Sequence, residues 1–172
     1  LDEGKEETSL IVLDHHTDLQ ASGLFDLLSC GSWIRAVIEK NPLVREVCLL
    51  GPPEAAFAQL EPEIARRVHY LSEECLQGND LDRWLKEHCR CERIWLSIDL
   101  DLLSKDVFMT NWDQGNLSLL RLMKILKMIL SMPGLCGIDL CGGDPEAFND
   151  QSRTVYKELL AFCCSFDRME TE

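Results

Sequence analysis

Short β-branched and aliphatic runs alternate along this chain with longer segments of helical period, a pattern that a parallel sheet wrapped by helices satisfies. Five runs read as buried strands: residues 9–13, 47–50, 68–71, 93–98 and 135–140. The first, Leu10-Ile11-Val12-Leu13, is apolar at every position. That fits a strand covered on both faces, where strict alternation would mark one wet face. Between the strands, Trp33, Ile34, Val37 and Ile38 share one helical stripe, and Leu81, Trp84, Leu85 and His88 share another, with Asp80 as its N-cap. Residues 117–130 are apolar on more than one side, which predicts a deeply buried helix or a subunit contact. Val155, Leu159, Phe162 and Phe166 mark a last helix. No repeat or linker divides the 172 residues, of which 46% are apolar. The expectation is one domain over residues 1–172, a three-layer α/β/α fold with a mainly parallel sheet.

Composition narrows the partners. A net charge of -13 argues against a surface that neutralises phosphates, so nucleic acid is excluded as a partner. Carboxylates that hold divalent cations would contribute to that acidity. The nine cysteines form no evident framework and include no CxxC pair. They read as reduced thiols packed as small core side chains. Cys89-Arg90-Cys91 has too short a spacing for an ordinary zinc pair. No apolar stretch approaches the ~20 residues of a membrane span, so a cytoplasmic protein with no membrane partner is expected. The chain opens on Leu1 and the charged run Asp2-Glu3-Gly4-Lys5-Glu6-Glu7, and further residues are expected upstream.

Chemistry concentrates at two strand ends. In Val12-Leu13-Asp14-His15-His16-Thr17-Asp18 a buried strand runs directly into metal-ligating side chains. Open parallel sheets bind ligands outside the carboxyl ends of their strands, where side chains leave the packed layer. Asp14, His16 and Asp18 are two apart and project to one side while the chain stays extended. Carboxylates with an imidazole suit Mn²⁺, Fe²⁺ or Zn²⁺ more than Ca²⁺. Ile94-Trp95-Leu96-Ser97-Ile98-Asp99-Leu100-Asp101 is a second apolar strand ending in carboxylates. Burying Asp99 and Asp101 costs several kcal/mol per unpaired charge unless a cation or hydrogen-bond donors meet them. Four carboxylates and one imidazole suggest two divalent ions about 3.5 to 4 Å apart.

These two motifs resemble D-A-H-x-D and S-x-D-x-D of the arginases, agmatinases and related ureohydrolases, an arginase/deacetylase-like fold. The likeness extends to Ser29-Cys30-Gly31-Ser32-Trp33, to residues 47–51, to Gly115-Asn116-Leu117-Ser118 ahead of a helix, and to Gly137-Ile138-Asp139-Leu140 followed by Asp144-Pro145. The resemblance implies Asp14 and Asp99 as catalytic carboxylates bridging two Mn²⁺ ions, with Asp18 completing one ion and His16 with Asp101 the other. A water between the ions would be the nucleophile. It also implies a small-molecule substrate and a homo-oligomer.

Three departures bear on substrate. The family's G-G-D-H histidine has no counterpart in residues 1–172. Ser32 and Trp33 stand near the place of its proton-shuttling histidine, and Gly142 near that of the glutamate that pairs with a guanidinium. Arginine is therefore a poor substrate, and a linear amidine or amide C–N bond is the expected target. Trp112 and Asp113 are candidate substrate contacts at the site mouth, and Asp144, after the final strand, is a third. His15 alternates away from His16 and reads as a supporting or core residue, while His69 and His88 read as structural. Asp14-His15-His16 also resembles the D-H-H motif of Mn²⁺-dependent phosphoesterases, although no basic cluster is present for phosphate. A catalytically decayed domain that only binds is the remaining alternative.

Overall fold

The structure, a computed structural model, describes residues 6–21, 27–143 and 149–166. Its elements in chain order are β1 (Thr8–Leu13), α1 (Trp33–Lys40), β2 (Val44–Gly51), α2 (Glu54–Phe57), α3 (Pro62–Ala65), β3 (His69–Ser72), α4 (Glu73–Leu76), α5 (Leu81–His88), β4 (Arg93–Asp99), α6 (Leu119–Leu130), β5 (Leu135–Cys141) and α7 (Asp150–Phe166). All five expected strands form, within a few residues of their expected limits. Every pairing is parallel, and the order is β3-β2-β1-β4-β5.

Alternation along β1 divides the interior into two cores. Ile11 and Leu13 face a core with Leu76 of α4, Leu81 and Leu85 of α5, Leu122, Ile125 and Ile129 of α6, and Val155 and Leu159 of α7. Leu10 and Val12 face the opposite core, with Ile34 and Ile38 of α1 and Ile64 of α3. This is the three-layer α/β/α arrangement, and it explains why the strand reads as continuously apolar. Helix α6 begins as its sequence suggests, with the Ser118 hydroxyl accepting from the Arg121 backbone N–H. Asp80 stands at the start of α5, but its side chain pairs with Arg83 at 3.3 Å and makes no cap bond. Among the described residues no helix is long and apolar enough to cross a membrane.

Strand β5 departs from the expectation of burial, since none of its seven residues is fully buried. It is an edge strand, and on the face away from α6 its neighbour β4 presents Trp95, 41% exposed, whose indole N–H donates to Asp139. The interior of the sheet is different. Leu96 of β4 is wholly buried, so Leu96→Ala is expected to cost about 2–5 kcal/mol through lost transfer energy and a residual cavity. A drop in urea midpoint of corresponding size, with unchanged slope, is the measurement.

The winding positions the site. From β1 the chain steps outward to β2 and β3, then returns to the other side of β1 as β4 and steps outward again to β5. Loops leaving β1 and β4 therefore diverge, which opens a crevice at their carboxyl ends. Leu13 lies opposite Ile98 in the β1–β4 register, so the next residues, Asp14 and Asp99, leave the sheet side by side.

Candidate metal centre

Both strands end in the same local device. Asp14 Oδ1 accepts from the His16 backbone N–H at 2.6 Å, and Asp99 Oδ1 accepts from the Asp101 N–H at 2.9 Å. Each is an aspartate folding its own backbone two residues on. The extended run expected over residues 14–18 is thus replaced by a turn. At its end Asp18 has φ 49°, the one non-glycine residue with positive φ among those described. The turns bring together what alternation along a strand would have spread out. Ligand atoms of Asp14, His16 and Asp101 all lie within 4.8 Å of one another. His16 Nδ1 is 2.8 Å from Asp101 Oδ2 and 3.7 Å from Asp14 Oδ1.

Two glycines make room for this geometry. Gly142 has φ +81°, and a Cβ there would stand 1.9 Å from Asp99 Oδ1. Gly51, at φ +123°, would place a Cβ 2.4 Å from the Asp14 carbonyl oxygen. Neither position accepts a side chain without moving a carboxylate or its backbone.

Asp14 and Asp101 are only 2% and 3% exposed. Burial raises the Asp14 pKa well above the carboxylate range, and the nearby charges of Asp18, Asp101 and Asp99 add to the rise. Burial also lifts Asp99, reinforced by Asp101. Asp18 is pushed up to about 6 by burial, opposed by the hydrogen bond from Trp33. His16 moves to about 10 through hydrogen bonds to Asp101 and then Asp14. His16 is the basic side chain that faces Asp14 and Asp101 directly. Four carboxylates around one imidazole leave the site electron-rich, and the donor set fits hard divalent cations.

A pH dependence follows for the metal-free protein. Asp18 titrates near 3.8 when unfolded and at about 6 when folded, so its favourable contribution is complete below pH ~4 and is lost as pH rises through ~6. Asp18→Asn is expected to match the parent near pH 4. Above pH 6 it should exceed the parent by on the order of 1–2 kcal/mol, after allowance for solvent screening. Urea unfolding at both pH values in chelator measures this, and parallel stability curves for the two proteins would refute it.

Asp14, His16, Asp18, Asp99 and Asp101 all line one cleft of about 680 Å³. Trp112 and Asp113 line it too. Trp112 is 58% exposed and stands edge-on to His16 with ring centroids 6.4 Å apart. Asp144 lies outside the described residues. The His15 backbone N–H donates to Asp101 Oδ1 at 3.2 Å, while its ring turns away toward Glu73 Oε2 at 3.8 Å and Asp113 Oδ2 at 3.9 Å. His15 Nδ1 is buried without a hydrogen-bond partner. His69 and His88 pack ring to ring at 4.7 Å, with His88 also stacked on Trp84. All nine cysteines are free.

Sequence reasoning missed two supporting residues. Glu73, buried at the carboxyl end of β3, accepts from the Asn116 N–H at 2.6 Å and so ties the loop before α6 to the site. Its place just past a strand end was the available signal. Cys141, at the end of β5, donates its thiol to Asp99 Oδ2 at 3.4 Å. Nothing in the sequence distinguishes that cysteine from the others.

Comparison with known proteins places this geometry. Residues 2–162 match the arginase family. An uncharacterized protein of Thermotoga maritima is 34% identical over 140 residues, which are 81% of this chain and 50% of that protein. Among solved structures, formimidoylglutamase from Bacillus subtilis superposes with a TM-score of 0.77 at 19% identity, over 95% of this chain and 54% of its own. Agmatine ureohydrolase of Thermoplasma volcanium gives 0.76 at 17% identity, over 95% and 56%. Trypanosoma cruzi formiminoglutamase with Mn²⁺ gives 0.78 at 12% identity, over 94% and 57%. The chain spans about half the length of these relatives. With its all-parallel sheet and its match over nearly the whole chain, it belongs to the arginase family.

Proposed function

We propose that this chain is a divalent-metal-dependent hydrolase that cleaves a linear C–N bond, amidine or amide, in a small molecule other than arginine. The observation that carries the reading is the convergence of Asp14, His16 and Asp101 at the adjacent ends of β1 and β4, with Asp18 and Asp99 in the same cleft. Mn²⁺ is the proposed ion, two per site, with Fe²⁺ or Zn²⁺ as substitutes of similar preference. A Mn²⁺-containing formiminoglutamase and an agmatine ureohydrolase among the structural neighbours support the reaction class.

Asp14, His16 and Asp101 would hold one cation, and Asp18 and Asp99 would bring in the second. Such a pair, when bound, would acidify water and offset negative charge that develops on the heteroatoms around the carbon under attack. The chain's own residues set the rest. The Asp14 and Asp99 turns fix their carboxylates before any ligand arrives, which spares reorganisation. His15 and Glu73 support the site from behind, through the backbone of residue 15 and the loop at Asn116. Trp112 and Asp113 at the mouth are the proposed substrate contacts.

Release of ammonia or formamide from small formimidoyl and amidine compounds, dependent on Mn²⁺ and absent in Asp99→Ala, is the expected result. Turnover of a simple chromogenic phosphodiester in its place would favour the phosphoesterase alternative. Purification without stoichiometric metal, and none taken up on dialysis, would indicate a decayed binding domain.

A further inference from the structure

Asp18 is gripped from two sides by the first turn of α1. The Trp33 indole N–H donates to Asp18 Oδ2 at 2.6 Å, and the Arg35 backbone N–H donates to the Asp18 carbonyl at 3.4 Å. Residue 18 sits at φ 49°, a conformation that a non-glycine residue holds when its surroundings impose it. The grip originates in the core. Trp33 packs against the cluster of Leu10, Val12, Ile34 and Ile38, so the indole is fixed by the body of the protein. An indole N–H is a donor only. It cannot ligate a cation, but it commits one carboxylate oxygen, Oδ2, and leaves Oδ1 outside that bond.

Among the described residues Asp14, His16 and Asp101 show no hydrogen bond to α1; they come together through the ends of β1 and β4, and Asp18 is not among the atoms that converge within 4.8 Å. We propose that Trp33 is a positioning residue that fixes Asp18 as a single-oxygen ligand, so that one of the two cation positions depends on α1 and the other does not. This rests on the metal-hydrolase reading above. It assigns a task to a residue that stands near the place of the family's proton-shuttling histidine and cannot shuttle protons itself.

The test is Mn²⁺ binding by equilibrium dialysis and calorimetry on the parent, Trp33→Phe, Asp18→Asn and the double variant. The parent is expected to bind two ions, and Asp18→Asn to lose one of them. Trp33→Phe should weaken that same ion about 10-fold, the usual cost of losing a partner that orients a ligand, with the other ion held within two-fold. In the double variant Trp33→Phe should add nothing to the effect of Asp18→Asn, because it acts through that carboxylate. A second measurement avoids any folding defect at position 33. In Trp112→Phe, which removes an exposed ring beside His16, quenching of tryptophan emission by paramagnetic Mn²⁺ should accompany the step that Asp18→Asn abolishes. Equal weakening of both ions in Trp33→Phe, or unchanged binding of both, or quenching tied only to the other step, would overturn the proposal. A parent that binds no Mn²⁺ at all would remove the metal-hydrolase reading itself.

Discussion

Asp14→Ala and Asp99→Ala are each expected to weaken Mn²⁺ binding by more than about 10²-fold, since each removes a charged ligand where even orienting partners are worth 10–100-fold. Thermal denaturation with and without metal should show the consequence. Saturating Mn²⁺ raises the parent's midpoint by mass action, and neither variant should respond. In chelator the order is expected to invert. Asp14 is 2% exposed, and its pKa is raised by burial and by the surrounding carboxylates, so the metal-free parent keeps a group that disfavours its own ionisation. Its removal relieves that repulsion, and Asp14→Ala should unfold at higher urea than the metal-free parent near pH 7. A variant that binds Mn²⁺ as tightly as the parent would show that the ligands lie elsewhere.

The second large effect concerns substrate. With Mn²⁺ saturating, arginine is expected to be hydrolysed about 10⁴-fold less efficiently than the preferred amidine or amide, a difference of ~5.5 kcal/mol in activation free energy. About 10² of this comes from the missing carboxylate for the guanidinium, because an unpaired buried charge forfeits several kcal/mol of transition-state binding. A similar factor, about 10², comes from the missing acid–base group. The structure sharpens both arguments. Gly142 cannot be converted to the family's glutamate, because any Cβ at that position would strike Asp99 Oδ1. Ser32 is buried and hydrogen-bonded to Ser29, and the Trp33 N–H is committed to Asp18. Neither is free to move protons at a substrate. Steady-state urea release from arginine, compared with ammonia or formamide release from formimidoyl compounds, measures the ratio. Efficient urea production that Asp99→Ala abolishes would mean that another carboxylate holds the guanidinium.

The strands, the layered architecture and the candidate ligand types at the strand ends were legible in the sequence because each is written in local runs of residues. Leu10-Ile11-Val12-Leu13 is apolar at every position because both of its faces meet a core, and that requirement is written residue by residue. Aspartates directly after such a run advertise a strand-end site in the same local way. The edge position of β5 was not legible, since Leu135–Cys141 has the composition of a buried strand and its exposure depends on which neighbours it has.

What only the tertiary structure decided is how the candidate ligands meet. His16 and Asp101 are 85 positions apart, and they touch because the chain returns from β3 to the free side of β1. No periodicity encodes that step, which is set by how the helices pack on each face. The turn at Asp14, the left-handed backbone at Asp18 and the indole that holds it are likewise outcomes of packing. So is the raised pKa of His16, which comes from hydrogen bonds to Asp101 and then Asp14. The sequence by itself determined which chemical groups stand at the strand ends. Their distances, charge states and supports, from Glu73 to Trp33, came from contacts between segments remote in the chain, because electrostatic and hydrogen-bonding energies depend on separation in space.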